Sequence, residues 1–169
     1  MSMAPTQLQP DGTFTFAGLS PGDYSLMAVA GNPLGGNIEF ATASVTLAGT
    51  DLTGVQLSGT KPVSGKGRIV VDAEAAKSLP LAALNLVTIP ADPEALPLNA
   101  IPTKINDDYS FELKVQPGKA LIRLGGAPGA FAIRAVRYDG QDVTDAGIEF
   151  KPGEDVRDIE IELTNQAQQ

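Results

Sequence analysis

Apolar and polar residues alternate with a period of two along most of this chain. In Ser110–Val115, Phe111, Leu113 and Val115 alternate with Ser110, Glu112 and Lys114. In Val156–Leu163, Ile159, Ile161 and Leu163 alternate with Asp158, Glu160 and Glu162. Phe14 and Phe16 alternate with Thr13 and Thr15, and Ile148 and Phe150 flank Glu149. This period places one side-chain set on each face of a strand, so the pattern predicts sheets with one buried and one solvated face. Turn signals divide the strands at Asp11-Gly12, Pro21-Gly22, Asn32-Pro33, Pro117-Gly118, Asp139-Gly140 and Pro152-Gly153. Strands are predicted at 12–18, 23–30, 37–47 and 52–58, then at 66–72, 81–89, 99–105, 109–115, 119–125, 130–138, 147–150 and 156–164. Helical periodicity is confined to a turn or two at Ala73–Leu79, stopped by Pro80, and one turn at Asp92–Leu96.

The chain repeats itself. Asp11-Gly12-Thr13-Phe14-Thr15-Phe16, Pro21-Gly22 and Asp23-Tyr24-Ser25-Leu26 align with Asp108-Tyr109-Ser110-Phe111-Glu112-Leu113, Pro117-Gly118 and Lys119-Ala120-Leu121-Ile122. Val45-Thr46-Leu47, Asp51-Leu52 and Val55-Gln56-Leu57 align with Ile148-Glu149-Phe150, Asp155-Val156 and Ile159-Glu160-Ile161. The copies lie about 100 residues apart, a usual size for one β-sandwich. The second copy, 61–169, reads as a complete sandwich. The first, 1–60, reads as a partial unit lacking its opening two or three strands, with Lys61-Pro62 and Val63-Ser64-Gly65 as the hinge. Three arrangements follow: upstream sequence completes the first unit, a strand from a neighbouring chain completes it, or residues 1–60 extend the sheet of the second unit. The expected fold is therefore an all-β, antiparallel, transthyretin-like or immunoglobulin-like sandwich, one complete unit preceded by a partial one.

The stretch Gln9-Pro10-Asp11-Gly12-Thr13-Phe14-Thr15-Phe16-Ala17-Gly18-Leu19-Ser20-Pro21-Gly22-Asp23-Tyr24-Ser25-Leu26 resembles the signature of carboxypeptidase regulatory-like domains. These are transthyretin-like (prealbumin-like) sandwiches found in tandem in bacterial envelope and secreted proteins. Arg134–Ile148 resembles the later part of the same module. The second copy departs from the signature, with Asp108-Tyr109 for Asp-Gly and Ala120 where Tyr24 stands. In the first copy Tyr24 is expected to aim its hydroxyl at a backbone group, as a tyrosine corner does. The resemblance implies a non-catalytic structural or interaction module of a larger exported protein, extracellular or periplasmic. It carries no shared catalytic, cofactor or metal residues.

Composition narrows the chemistry. Of 169 residues, 12 are Lys or Arg and 20 Asp or Glu, a net charge of −8, and His, Cys and Trp are absent. Histidine- or cysteine-dependent nucleophiles, imidazole or thiolate metal sites and disulfides are thereby excluded. An acidic chain without a basic stretch is unsuited to nucleic acid. No apolar run reaches the roughly 20 residues needed to span a bilayer. Met1-Ser2-Met3-Ala4-Pro5 lacks the basic flank and apolar run of a secretory signal, so any export signal is expected to lie outside this chain. Residues 1–60 hold four acids and no Lys or Arg, and the remainder holds sixteen acids and twelve bases.

Five residue groups bear on chemistry. The carboxylate pairs Asp107/Asp108, Asp142/Asp145 and Glu154/Asp155 sit beside turn residues, where turn capping accounts for them. Asn106-Asp107-Asp108 offers hard oxygen ligands for calcium, without the D-x-D-x-D-G run of a calcium loop. Lys66, Glu112 and Asp158 or Asn165 have the chain order of an intramolecular isopeptide bond, yet alternation puts Glu112 and Asp158 on the polar face. Tyr109 and Tyr138 are the candidates for an exposed carbohydrate platform, with Phe14, Phe16, Phe111 and Phe150 assigned to the core. Gly65-Lys66-Gly67 and Gly125-Gly126 lack phosphate-loop spacing and read as a strand start and a loop. The expectation is thus no enzyme, no metal and no cofactor. The partner is expected to be protein, either another domain of the same polypeptide or a neighbouring chain by strand addition. The alternative is a carbohydrate- or peptide-binding module acting through an exposed sheet face or edge.

Overall fold

The structure, a computed structural model, describes residues 4–32, 37–93, 103–126 and 129–165. Two compact units divide the chain: residues 1–28 with 41–58, and residues 29–40 with 59–169.

The larger unit is a β-sandwich. Its strands are β3 (Val63–Val70), β4 (Leu84–Pro90), β5 (Thr103–Lys104), β6 (Ser110–Val115), β7 (Gly118–Gly126), β8 (Ala132–Tyr138), β9 (Gln141–Asp142), β10 (Ile148–Phe150) and β11 (Val156–Thr164). One sheet has the order β10-β7-β4-β5 and the other the order β6-β3-β11-β8-β9. Alternation decides what they bury. Leu84, Leu86, Ile122, Ile148 and Phe150 from the first sheet meet Phe111, Leu113, Val136, Ile159 and Ile161 from the second in one core. Phe150, Leu86, Ile159 and Ile161 are completely enclosed. Each such side chain contributes about 1.5–3 kcal/mol by leaving water.

The all-β expectation holds, and five of the eight strands predicted in this region are found within about two residues at each end, the usual uncertainty of strand ends, while the strand predicted at 66–72 begins earlier, at Val63. The strand predicted at 81–89 begins later, at Leu84, because Leu81–Ala83 forms a single 3₁₀ turn. Of the strand predicted at 99–105, only Thr103–Lys104 is observed, and 99–102 lie outside the described residues. The helix α1 (Ala73–Ala76) is capped by Asp72, whose carboxylate accepts from the amides of Glu74 and Ala75. Most of the turn predicted at Asp92–Leu96 also lies outside the described residues.

Three corrections concern the sheet. Not every pair is antiparallel: β3 lies between β6 and β11, antiparallel to the first and parallel to the second. The predicted hinge at Val63–Gly65 is the start of β3, with Val63 and Ser64 buried and paired with Val115 and Lys114. Gly65 and Gly67 stand within β3 for a packing reason. A Cβ on Gly65 would reach the Phe150 ring at 3.0 Å, and one on Gly67 would meet the Ile159 carbonyl and Phe111 at 2.7 Å. Beside them β11 carries a bulge: the register passes from Val156↔Gly65 to Ile159↔Gly67, and Asp158 takes up the extra residue at φ 60°.

The smaller unit holds most of β1 (Gly22–Asn32) and β2 (Asn37–Leu47), which pair with each other in a two-stranded sheet. The predicted strands 12–18 and 52–58 are not found, because neither segment has a ladder partner. Among the described residues, 1–60 supply no strand to the four- or five-stranded sheet.

Candidate functional site: turn carboxylates, a charged sheet face and a half-covered apolar stripe

Asp108 and Asp142, weighed above for acid chemistry, are occupied by their own turns, and the turn residue Asp11 behaves in the same way. Asp11 Oδ1 accepts from the Thr13 amide at 2.9 Å and the Thr13 hydroxyl at 2.7 Å. Asp108 does the same with Ser110 at 3.0 and 2.5 Å, and Asp142 with Thr144 at 3.0 and 2.5 Å. Bonds to the ionised form favour it, so all three carboxyls lie below their ordinary value, the hydroxyl bond being the larger cause in each. In Asn106-Asp107-Asp108, Asn106 Nδ2 donates to Ser110 Oγ at 2.9 Å. Among the described residues, no three His, Cys, Asp or Glu side chains gather where they would hold a metal ion.

The isopeptide candidates lie on the outer face of the five-stranded sheet. Lys66 Nζ stands 3.7 Å from Glu112, and both side chains are nearly half exposed. Asp158 sits at the exposed bulge and Asn165 beyond the end of β11, so the three are not brought together in a buried site. That face is a ladder of exposed and partly exposed ion pairs instead. Lys114 joins Glu112 at 2.8 Å, Arg68 joins Glu160 at 3.2 Å, and Glu162 holds Arg134 at 3.1 Å and Arg137 at 3.5 Å. Glu112 is held below its ordinary value, chiefly by the hydrogen bond from Lys114.

Tyr109 and Tyr138 are half-buried and pack against the core of the sandwich. Tyr24 does what its position in the signature predicts: its hydroxyl donates to the Ser20 carbonyl at 2.6 Å.

The two copies then match in backbone and differ in cover. In the first, the Gly12 amide donates to Gln9 O at 2.9 Å and the Gln9 amide to Thr13 O at 2.8 Å. In the second, Tyr109 donates to Asn106 O and Asn106 to Ser110 O, both at 2.9 Å. This is a three-residue hairpin turn closed by a left-handed residue, Gly12 at φ 83° in one copy and Tyr109 at φ 67° in the other. The later halves agree as well: Gly54 (φ 75°) takes the place of the bulge residue Asp158.

Burial does not follow. Ile105 and Val156 are 7% and 6% exposed, and their counterparts Leu8 and Leu52 are 49% and 47% exposed. Phe111, Leu113, Ile148, Phe150, Ile159 and Ile161 are buried, whereas Phe14, Phe16, Val45, Leu47, Val55 and Leu57 are only half-buried. The assignment of Phe14 and Phe16 to a core is thus corrected. They rest edge-to-face on each other, centroids 6.1 Å apart, and are partly rather than fully buried. Among the described residues of the smaller unit, only Leu26 and Ala41 are buried hydrophobics.

No family model matches the chain, and no curated protein or solved structure is significantly similar to it.

Proposed function

We propose that this chain is a non-catalytic interaction module of a larger exported bacterial protein, in which the sandwich of 59–169 is the stable body and the smaller unit is the part that meets a partner. One observation carries the reading: in the apolar stripe of Phe14, Phe16, Leu52, Val55 and Leu57, Leu52 is exposed and the others are only partly buried, while the counterparts in the second copy are buried. Apolar surface left in water costs about 25 cal/mol for each Å², which association recovers. The acids support the non-catalytic part of the reading, since the best candidates already accept hydrogen bonds from turn residues or pair with Lys and Arg. The exported bacterial setting rests on the resemblance of Gln9–Leu26 to carboxypeptidase regulatory-like domains.

Amide hydrogen exchange on the dilute chain tests the reading. Amides of Thr13–Ala17 and Leu52–Leu57 are expected to exchange at least a hundredfold faster than those of Lys66–Ile69 and Ile159–Leu163. Equal protection in both sets at high dilution would mean that the smaller unit is self-sufficient, and the reading would fail.

A further inference from the structure

The chain holds two Asp-Gly sequences and no Asn-Gly, and the fold treats the two in opposite ways. Asp11-Gly12 is tied at both of its reactive groups. The Asp11 carboxylate accepts from the Thr13 amide and hydroxyl, and the Gly12 amide donates to Gln9 O at 2.9 Å. Asp139-Gly140 is tied at neither. It forms the two-residue tip between β8 and β9, with Tyr138 facing Gln141 across it and left-handed backbone at both positions, φ 52° and 73°. Such a tip is a type I′ turn, for which Asp-Gly is a preferred sequence. Among the described residues, neither the Asp139 carboxylate nor the Gly140 amide has a hydrogen-bond partner. Both residues are exposed, and a Cβ placed on Gly140 would meet nothing within 4 Å.

We infer that Asp139-Gly140 is a site of spontaneous backbone modification, where the two residues close to a succinimide that reopens as isoaspartate. The Gly140 nitrogen attacks Cγ of the protonated Asp139 side chain. An N–Cγ bond forms, the Cγ–OH bond breaks, and the hydroxyl leaves with the amide proton as water. A second water then adds to the α-carbonyl of Asp139 and breaks its bond to the same nitrogen. The chain now runs through Cγ, and a free α-carboxylate remains. One water leaves and one returns, so neither oxidant nor cofactor is needed. Three features of the tip favour closure. Glycine has no side chain to obstruct its own nitrogen. The strand β9 is two residues long and pairs on one side only, so the tip leaves its turn geometry at little cost. Asp139 also carries the strain of a side chain in the left-handed region, which the extra backbone atom of isoaspartate releases. At Asp11 the bonds from Thr13 favour the ionised carboxylate, whose oxygen cannot leave as water without a proton, and the bond to Gln9 O holds the attacking nitrogen away.

Isoaspartate has the mass and charge of aspartate, so the test reads its position by cleavage. The full chain is aged at mildly acid pH, folded and in urea, until the chain in urea has reacted at both sites. It is then digested with a protease that cuts before aspartate and not before isoaspartate. In the folded chain, resistance to cleavage is expected to build up at Asp139 about tenfold faster than at Asp11, the factor that one hydrogen bond of ordinary strength supplies. In urea the two sites are expected to react at equal rates, because only the folded surroundings separate them. Thr13→Val removes the hydroxyl bond to Asp11 and is expected to narrow the gap in the folded chain. Methyl transfer from a protein isoaspartate methyltransferase, which requires the free α-carboxylate, is expected to rise in step with the resistance at Asp139 and to vanish there in Asp139→Gly. Equal rates at the two sites in the folded chain, a faster rate at Asp11, or an Asp139 that stays cleavable throughout would overturn the proposal. So would a gap that persists unchanged in urea, since the tip would then play no part.

Discussion

Gly67 and Ile159 approach so closely across the parallel β3–β11 pair that a Cβ on the glycine would overlap the Ile159 carbonyl. The φ of Gly67 lies outside the left-handed region, so the requirement is one of space and not of backbone freedom. Neither side can yield easily, because Ile159 is fully enclosed and Phe111, on the third side, is almost so. Gly67→Ala is expected to cost about 3 kcal/mol through overpacking, read as a lowered denaturation midpoint. Gly140→Ala, at an exposed turn with φ 73°, is expected to cost only about 1 kcal/mol. Equal costs for the two would refute the packing argument.

The bulge residue offers the opposite sign. Asp158 is exposed at φ 60°, where its counterpart is Gly54. Asp158→Gly removes the left-handed penalty of a side chain and is expected to stabilise the sandwich by about 0.5 kcal/mol after the added entropy of glycine in the unfolded chain. Thermal unfolding of the single variant checks it. A lower midpoint would show that the aspartate makes a contact that outweighs the strain.

Thr144 completes a strand that cannot complete itself. In β8, the buried Val136 amide donates to Thr144 Oγ1 at 2.8 Å, and that hydroxyl donates to Asp142. Thr144→Val keeps the shape and leaves the amide without an acceptor, an expected loss of about 1–3 kcal/mol. Thr144→Ser restores the oxygen and is expected to recover most of it. If valine and serine behave alike in denaturant titration, the hydrogen bond is not the cause.

The three turn aspartates set an acid dependence. Folded, Asp11, Asp108 and Asp142 lie below the ordinary 3.8, so the unfolded chain binds more protons at these sites as acid is added. Their contribution is present in full above about pH 5 and is lost as pH falls through 3.8 towards the folded values. The triple variant Asp11→Asn, Asp108→Asn and Asp142→Asn should unfold at a lower temperature than the natural chain at pH 7. The gap should narrow towards pH 3. A gap independent of pH would mean that the carboxylate charge contributes nothing.

How much of this was legible beforehand depends on the range of the interaction involved. Strand positions, the Asp-initiated turns, the hydroxyl of Tyr24 and the repeat were readable because each rests on neighbours a few residues apart. The parallel placement of β3 between β6 and β11 was not, since alternation states which side of a strand is buried and never which strand lies beside it. The same limit explains Val63–Gly65, read as a hinge from its small residues, where the glycines mark a close approach of two backbones. It also explains Tyr109 and Tyr138, whose rings found cover that composition could not foresee.

The sequence alone determined that Phe14 and Phe111 would each begin an alternating, one-sided segment after the same turn, because that outcome is local to five or six residues. Tertiary structure decided that Phe111 is buried and Phe14 is not. A strand becomes a strand, and its apolar side a core, only when another strand supplies the hydrogen bonds at its edge and another layer excludes water from its face. In the second copy β3 and the facing sheet do both, and in the first copy the segments 13–18 and 52–58 keep the pattern without the partner.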